Sequence, residues 1–210
     1  MPTLVYFGLQ GRAQAIRFML AHKGVAFEDK RLTFEEWGPM KAAGTYGDCQ
    51  LPVWVSDDGS YRNQSTAILK SLAMEHGLYP TDAATLYECE WALDTFGDVF
   101  KSGSQLCTIK PDATDEMKNQ FIADCAAAVD KFEARWADGR AHAAGSQVTY
   151  FDFSILTMLT SFLDNPAHMH ASVREANLAK IAQCPNFMRV ANAIKEICAD
   201  QVAALAPGPL

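Results

Sequence analysis

The chain has 210 residues, is 49% hydrophobic and 20% charged, and carries 18 Lys/Arg against 25 Asp/Glu for a net charge of −7. These values suit an ordinary soluble globular protein with room for one large or two small domains, and the acidity argues against nucleic acid as the main partner. No run reaches the roughly 18 apolar residues that suggest a membrane-spanning helix, and MPTLVYFG lacks the basic-then-apolar pattern of a secretory signal.

The charge is unevenly spread. Residues 1–80 hold 8 Lys/Arg and 8 Asp/Glu, whereas residues 81–210 hold 10 and 17. That step, together with the linker-like Gly77-Leu78-Tyr79-Pro80-Thr81, places a boundary near residue 80. The six cysteines (Cys49, Cys89, Cys107, Cys125, Cys184, Cys198) form no CxxC pair and no zinc-like spacing. They read as buried, reduced thiols of a cytosolic protein, and the five histidines join no metal-ligand pattern.

In chain order, Thr3 to Phe7 (TLVYF) reads as a first strand and Gly8-Leu9-Gln10-Gly11 as a loop. Arg12 to Lys23 carries Ile16, Met19 and Leu20 at helical spacing, and Gly24 stops it. Val25 to Leu32 is a second strand, expected to be parallel to the first. Thr33-Phe34-Glu35-Glu36 has the form of a capping box opening a short helix. Leu51 to Val55 is a third strand, Ser56-Asp57-Asp58-Gly59 a hairpin, and Tyr61 and Asn63 lie on a fourth strand. Ser65 then caps a helix running to about Glu75, with Ile68, Leu69 and Leu72 inward. The order βαβ then ββα is that of a thioredoxin-like domain.

Beyond residue 81 the pattern is helical only. Leu86, Cys89, Leu93, Phe96 and Phe100 form one apolar stripe, beside an acidic line of Glu90, Asp94 and Asp98. Met117, Phe121, Cys125, Val129, Phe132 and Trp136 form another. Thr149 and Asp152 are spaced as a capping box, with Asp in place of the usual Glu or Gln. The segment from Phe153 to Leu163 is apolar nearly all round, which places it at the centre of a bundle. Pro185-Asn186 starts a last long helix with Phe187, Val190, Ala191, Ile194 and Ile197 inward. The tail APGPL reads as frayed.

Several residues admit two readings. Tyr6 ends a strand beside a glycine-containing loop, where it is either packed or chemically active. Arg12 at a helix start opposes the helix dipole, so it makes a surface ion pair or faces an anion. Leu51-Pro52 is an ordinary trans proline junction, or a cis bond that turns the Leu51 backbone toward an extended peptide. Gln64-Ser65 opens a helix whose free N–H groups suit a carboxylate. Trp37 and Lys41 are a packing residue and a solvated cation, or a donor and a cation for a second carboxylate. Asp94 is a solvated helix face. Asp98 is the same, or an acid that reaches a ligand ammonium across a dimer interface.

VYFGLQGRAQAIR (Val5 to Arg17), QLPVW (Gln50 to Trp54), NQSTAILKSLA (Asn63 to Ala73), HGLYP (His76 to Pro80) and GSQVTYFDFSIL (Gly145 to Leu156) together resemble the cytosolic glutathione transferase family. The resemblance spans nearly the whole chain and is nearest to the tyrosine-type pi and sigma classes. It implies a thioredoxin-like glutathione-binding domain over 1–76, a linker over 77–81 and an all-helical domain over 82–210 that contributes the electrophile pocket. By the same resemblance Tyr6 matches the tyrosine that hydrogen-bonds the glutathione sulfur, and Arg12 an arginine that supports it. Trp37, Lys41 and Gln50 match holders of the glycine end. Leu51, before the family's cis-proline Pro52, matches the residue whose backbone pairs with the cysteinyl part. Gln64 and Ser65 match holders of the γ-glutamyl carboxylate, and Asp98 an acid from the other subunit. Phe7, Gly8, Leu9, Gly103, Leu106 and Thr108 match the electrophile pocket. The chain departs from the pi pattern in the length of the segment between Trp37 and Gln50, and in having Thr108 where that class has Tyr.

The resemblance implies a cytoplasmic homodimer in detoxification. Glutathione is its co-substrate, no metal is used, small apolar electrophiles are its substrates, and neither nucleic acid nor membrane is a partner. Two other readings share the scaffold: a glutathione-dependent isomerase or peroxidase of the prostaglandin D synthase type, and a non-catalytic ligand carrier or structural protein. The intact set Tyr6, Arg12, Gln64 and Ser65 counts against the latter.

Overall fold

The structure, a computed structural model, describes residues 1–101 and 109–205. The chain forms two compact units, Met1–Gly77 and Leu78–Leu210.

The first unit holds a four-stranded mixed sheet. Strand β1 (Thr3–Phe7) runs parallel to β2 (Glu28–Leu32) and antiparallel to β3 (Val53–Val55), which pairs antiparallel with β4 (Tyr61–Asn63). The strand order is β2-β1-β3-β4. The β1–β2 crossover is a 3₁₀ turn (Gly11–Ala13) leading into helix α1 (Gln14–His22). That helix ends where the sequence places its stop. Gly24 takes φ +64°, a left-handed conformation natural to glycine, and the Gly24 and Val25 N–H groups close onto the Ala21 and Leu20 carbonyls at 3.0 and 2.9 Å. β2 is shorter than Val25–Leu32, because Val25 is held by the helix end and pairing begins at Glu28.

Helix α2 (Phe34–Ala42) opens on the expected capping box. Thr33 Oγ1 accepts from Glu36 N–H at 3.2 Å, and Glu36 Oε2 accepts from Thr33 N–H at 2.7 Å. The hairpin closes between Ser56 and Ser60. Helix α3 (Ser65–Glu75) buries Ile68, Leu69 and Leu72 as the pattern requires. Its N-cap, however, is Gln64 rather than Ser65, which sits at the first helical position. The chain leaves β4 through Gln64 at φ +68°, ψ 104°, and that kink ends the turn one residue early.

The second unit is helical: α4 (Ala83–Lys101), α5 (Asp115–Arg135), α6 (Tyr150–Thr157) continuing as a π-helical turn (Met158–Leu163), α7 (Ala171–Ile181), α8 (Pro185–Ile197) and α9 (Ala199–Ala203). Every residue from Tyr150 to Leu163 is buried, so this segment is the centre of the unit, with α4 and α8 packed on α6. The α5 stripe supplies Phe121, Cys125, Val129, Phe132 and, just past the helix, Trp136 to the core. Phe132 and Trp136 stack at 4.7 Å, and Phe187 of α8 stacks on Trp136 at 6.0 Å. On α4, Cys89 and Phe96 are buried and Leu86 and Leu93 half-buried, while the Phe100 side chain lies outside the described residues. Ile197 does not face inward. It is exposed at the end of α8, where the chain bends into α9 and buries Cys198 instead. The described cysteines are free and buried. Cys107 and the APGPL tail lie outside the described residues. Among the described residues, no helix is long and apolar enough to cross a membrane.

Candidate active site

Strand register decides which of the candidate residues can meet. Val5 lies opposite Val53 and Val53 opposite Asn63, while Phe7 pairs with Leu32. The ends of β1, β2 and β4 and the beginning of β3 therefore share one edge of the sheet. Tyr6, the start of α2 after Thr33, Leu51-Pro52 and Gln64-Ser65 all lie at that edge. They come from four separate stretches of sequence, and only the sheet order brings them together.

Tyr6 is 6% exposed. Its hydroxyl oxygen accepts from the Arg12 backbone N–H at 3.2 Å. A phenol has one proton to donate, and among the described residues that proton has no acceptor. Burial pushes the Tyr6 pKa up; the Arg12 N–H and the charges of Arg12 and Arg17 oppose this without reversing it. Tyr6 is therefore a neutral donor at physiological pH, with its acceptor side already filled.

Gly11 makes this arrangement possible. It takes φ +42°, and a Cβ there would lie 2.7 Å from both Tyr6 Oη and Leu9 Cδ1. Only glycine lets the turn close tightly enough for Arg12 N–H to reach the phenol. Gly11→Ala is expected to displace the Tyr6 hydroxyl and to cost about 1–3 kcal/mol in stability. Chemical denaturation checks this: a variant as stable as wild type would show that the turn tolerates a Cβ.

At the β3 start, the Leu51-Pro52 peptide is cis, and both residues are buried. At the β4 end, Gln64 is the one non-glycine residue with positive φ among the described residues. Such a conformation costs of order 1–3 kcal/mol and is found where a chain must present a particular backbone direction. Here it stands at the start of α3, beside the shared edge, and the free N–H groups and positive end of a helix suit an anion. Among the described residues the Gln64 side chain, the Trp37 indole, the Lys41 ammonium and the Gln50 amide form no hydrogen bonds. Trp37 is half-buried on α2, and Lys41 lies exposed in its last turn.

Phe7 is half-buried and stacks on Phe34 at 4.4 Å with a 30° tilt. Phe34 is 62% exposed at the first position of α2. The sequence reading passed over Phe34; the available signal was a large apolar residue directly after a capping threonine, where no core face exists. Gly8 is exposed and Leu9 half-buried, and Gly103, Leu106 and Thr108 lie outside the described residues. Asp98 belongs to the second unit, exposed on α4 with Lys131 Nζ at 3.8 Å.

A second residue passed over is Arg17, which is 7% exposed in α1. Its Nε donates to Asp29 Oδ1 at 3.0 Å, its Nη1 donates to the Leu9 carbonyl at 2.8 Å, and its guanidinium lies 5.8 Å from the Tyr6 ring centre.

No protein-family model matches the chain. Glutathione S-transferase 4 of Caenorhabditis elegans is 30% identical over 171 residues, covering 77% of this chain and 80% of the relative. The chain belongs to the glutathione S-transferase family. The hematopoietic prostaglandin D synthase of Gallus gallus is 28% identical over 155 residues, covering 71% of this chain and 73% of the relative. Among solved structures, the Pi-class glutathione S-transferase of Onchocerca volvulus superposes with a TM-score of 0.75 at 20% identity, covering 99% and 97% of the two chains. The glutathione S-transferase fold is thus shown across the chain: a thioredoxin-like sheet unit followed by a helical one.

Proposed function

We propose that this glutathione S-transferase binds glutathione along the sheet edge, ionises its thiol and transfers the sulfur to small apolar electrophiles. The observation that carries this reading is the Tyr6 hydroxyl, which has its acceptor side filled by Arg12 N–H and its proton free to give. A thiol with pKa near 8.5 is only a few per cent ionised at pH 7. A hydrogen bond donated to the sulfur stabilises the thiolate and lowers that pKa. A drop of about 2 units corresponds to roughly 2.7 kcal/mol, which one charge-assisted bond and nearby guanidinium charges can supply.

In this reading the chain from 1 to 76 is the glutathione-binding domain, 77–81 the linker, and 82–210 contributes to the electrophile pocket. The Leu51 backbone pairs with the cysteinyl part of the peptide. Gln64, Ser65 and the α3 N-terminus take the γ-glutamyl carboxylate, and Trp37, Lys41 and Gln50 take the glycine end. Phe7, Gly8 and Leu9 offer the electrophile a surface beside Tyr6, and Phe34 extends it. In a cytoplasmic homodimer, Asp98 reaches the glutathione of the other subunit. Glutathione is the co-substrate, and the reaction uses no metal.

Retention on immobilised glutathione, followed by conjugation of a chloronitrobenzene, tests the assignment. Binding with turnover is the expected result. Binding without turnover toward any of a panel of aryl halides, enones and peroxides would instead make the chain a carrier. Turnover confined to prostaglandin D synthesis would make it a synthase of the kind its Gallus gallus relative is named for.

A further inference from the structure

We propose that Arg17 is a positioning residue for the thiol chemistry: it anchors the Leu9–Gln10 turn from behind and holds a guanidinium, balanced by Asp29, against the Tyr6 ring. The inference rests on the reading of Tyr6 as the donor to the glutathione sulfur.

Arg17 occupies a position that a helix of this kind would ordinarily give to an apolar residue. It stands between Ile16 and Phe18, in a run from Gln14 to Leu20 that is buried throughout. Burying a guanidinium is costly unless it is paired and hydrogen-bonded. Here Nε meets Asp29 Oδ1 at 3.0 Å, and Nη1 meets the Leu9 carbonyl at 2.8 Å, with the Gln10 carbonyl and Gln14 Oε1 both at 3.4 Å. Nη2 is buried with no partner among the described residues. A side chain whose only task was to pin α1 to β2 would need the Asp29 contact alone. This one also reaches through to the turn that carries Gly11 and Arg12, whose N–H sets the Tyr6 hydroxyl.

The charge is the second part of the device. The guanidinium carbon lies 5.8 Å from the Tyr6 ring centre, within cation–π range. A cation there makes the phenol a better donor and favours any anion that accepts from it. Asp29 works in the opposite sense, and it is shared: its second oxygen accepts from Arg31 Nε at 2.8 Å. The ionisable groups around the phenol are therefore Arg12 from the 3₁₀ turn, Arg17 from α1, and Asp29 and Arg31 from β2. β3 (Val53-Trp54-Val55) has no ionisable residue, and the residues α3 buries (Ile68, Leu69, Leu72, Ala73) are all apolar. The buried share of the potential behind Tyr6 thus comes from Arg17 and the aspartate that partly cancels it, while Arg12 and Arg31 are exposed.

Substitutions at the two positions should move the bound thiol in opposite directions. The readout is the pKa of enzyme-bound glutathione, followed by thiolate ultraviolet absorbance in the binary complex and by the pH profile of kcat/KM. Arg17→Met keeps the volume and removes the charge, and is expected to raise that pKa by about half a unit to one unit. Arg17→Lys keeps the charge and is expected to hold the pKa within about 0.3 units of wild type while lowering kcat through the loosened turn. Asp29→Asn leaves the guanidinium unbalanced and is expected to lower the pKa by about half a unit. A purely structural ion pair predicts instead that Arg17→Met and Asp29→Asn shift the value the same way or not at all, and either outcome overturns the proposal. If Arg17→Met does not fold, Asp29→Asn decides alone: a fall supports the proposal, and no change or a rise overturns it. Tyr6→Phe run in parallel separates the two claims. If it leaves the bound thiol pKa unchanged, the Tyr6 reading itself fails. If it raises the pKa while the Arg17 and Asp29 variants do not diverge, only the role of Arg17 is lost.

Discussion

Replacing Tyr6 with Phe is expected to lower conjugation at pH 6.5 by about 5- to 50-fold while changing glutathione affinity by less than about threefold. The bounds come from two opposed effects. Losing the donor should raise the bound thiol pKa by about 2 units, from about 6.5 back to about 8.5, which cuts the thiolate fraction at pH 6.5 about 50-fold. The thiolate that does form is more basic and more nucleophilic, and with a Brønsted slope of about 0.4–0.5 this returns roughly a factor of ten. Affinity is held mainly by contacts along the sheet edge, so it changes little. The deficit should shrink as pH rises toward 9, because an unassisted thiol with pKa near 8.5 is then largely ionised by itself. Tyr6 itself should not limit the wild-type profile at alkaline pH: burial raises its pKa, so the phenol stays protonated where the thiol titrates. Paired pH–rate profiles of the two proteins measure all of this. Wild-type turnover by the variant at pH 6.5 would refute thiol activation by Tyr6.

The sheet, and the stretches that meet at the end of its strands, are largely legible in the sequence, because they depend on local signals that agree with one another. TLVYF and VWV are rich in β-branched and aromatic residues as strands are, Asp58-Gly59 turns a hairpin, and Thr33 with Glu36 closes a capping box. What was missed depends on long-range placement. Ser65 is a good N-cap residue, and nothing local announces that Gln64, neither Gly nor Asn, takes positive φ and displaces it from the cap. Arg17 reads as a polar break in an apolar stripe, and only the position of Asp29 one strand away makes its burial tolerable. Ile197 continues the α8 periodicity correctly, yet the bend into α9 removes its packing partner and hands the site to Cys198. In the acidic line on α4, Glu90 also holds a partner that spacing does not reveal: Tyr150 donates its hydroxyl to it at 2.8 Å, across 60 residues of sequence. Arg17 and Glu90 thus have partners distant in the chain, whereas at Ser65 and Ile197 a neighbouring residue takes the place.

The largest stability effect is expected from Asp152→Ala. Asp152 is 0% exposed, and its carboxylate gathers three donors: Ala143 N–H at 2.9 Å, Thr149 N–H at 2.8 Å and the Thr149 hydroxyl at 2.9 Å. It therefore closes the capping box of α6 and ties the preceding loop to the helix at the centre of the second unit. The Ala143 carbonyl is in turn bound by Trp136 Nε1 at 3.0 Å, which links that loop to the aromatic stack. Truncation strands two buried N–H groups and a hydroxyl, so the cost should be about 3–5 kcal/mol, against a total stability of about 5–15 kcal/mol. For a chain of this length that lowers the melting midpoint by roughly 10 °C. Asp152→Asn should cost less, since one amide oxygen can still accept, and Asp94→Ala on the exposed face of α4 should lie within about 0.5 kcal/mol of wild type. The loss should also depend on pH. The Asp152 carboxylate, 3.6 Å from His142 Nδ1, holds that imidazole above its usual pKa. A raised folded-state value stabilises the native chain fully below about pH 6.5, and the contribution fades as pH rises through the higher folded value. Asp152→Ala should therefore be more destabilising at pH 6 than at pH 8. Urea unfolding at the two pH values tests both points: a cost below about 1 kcal/mol would remove Asp152 from its place as the anchor of α6, and an equal cost at both would remove the His142 contribution.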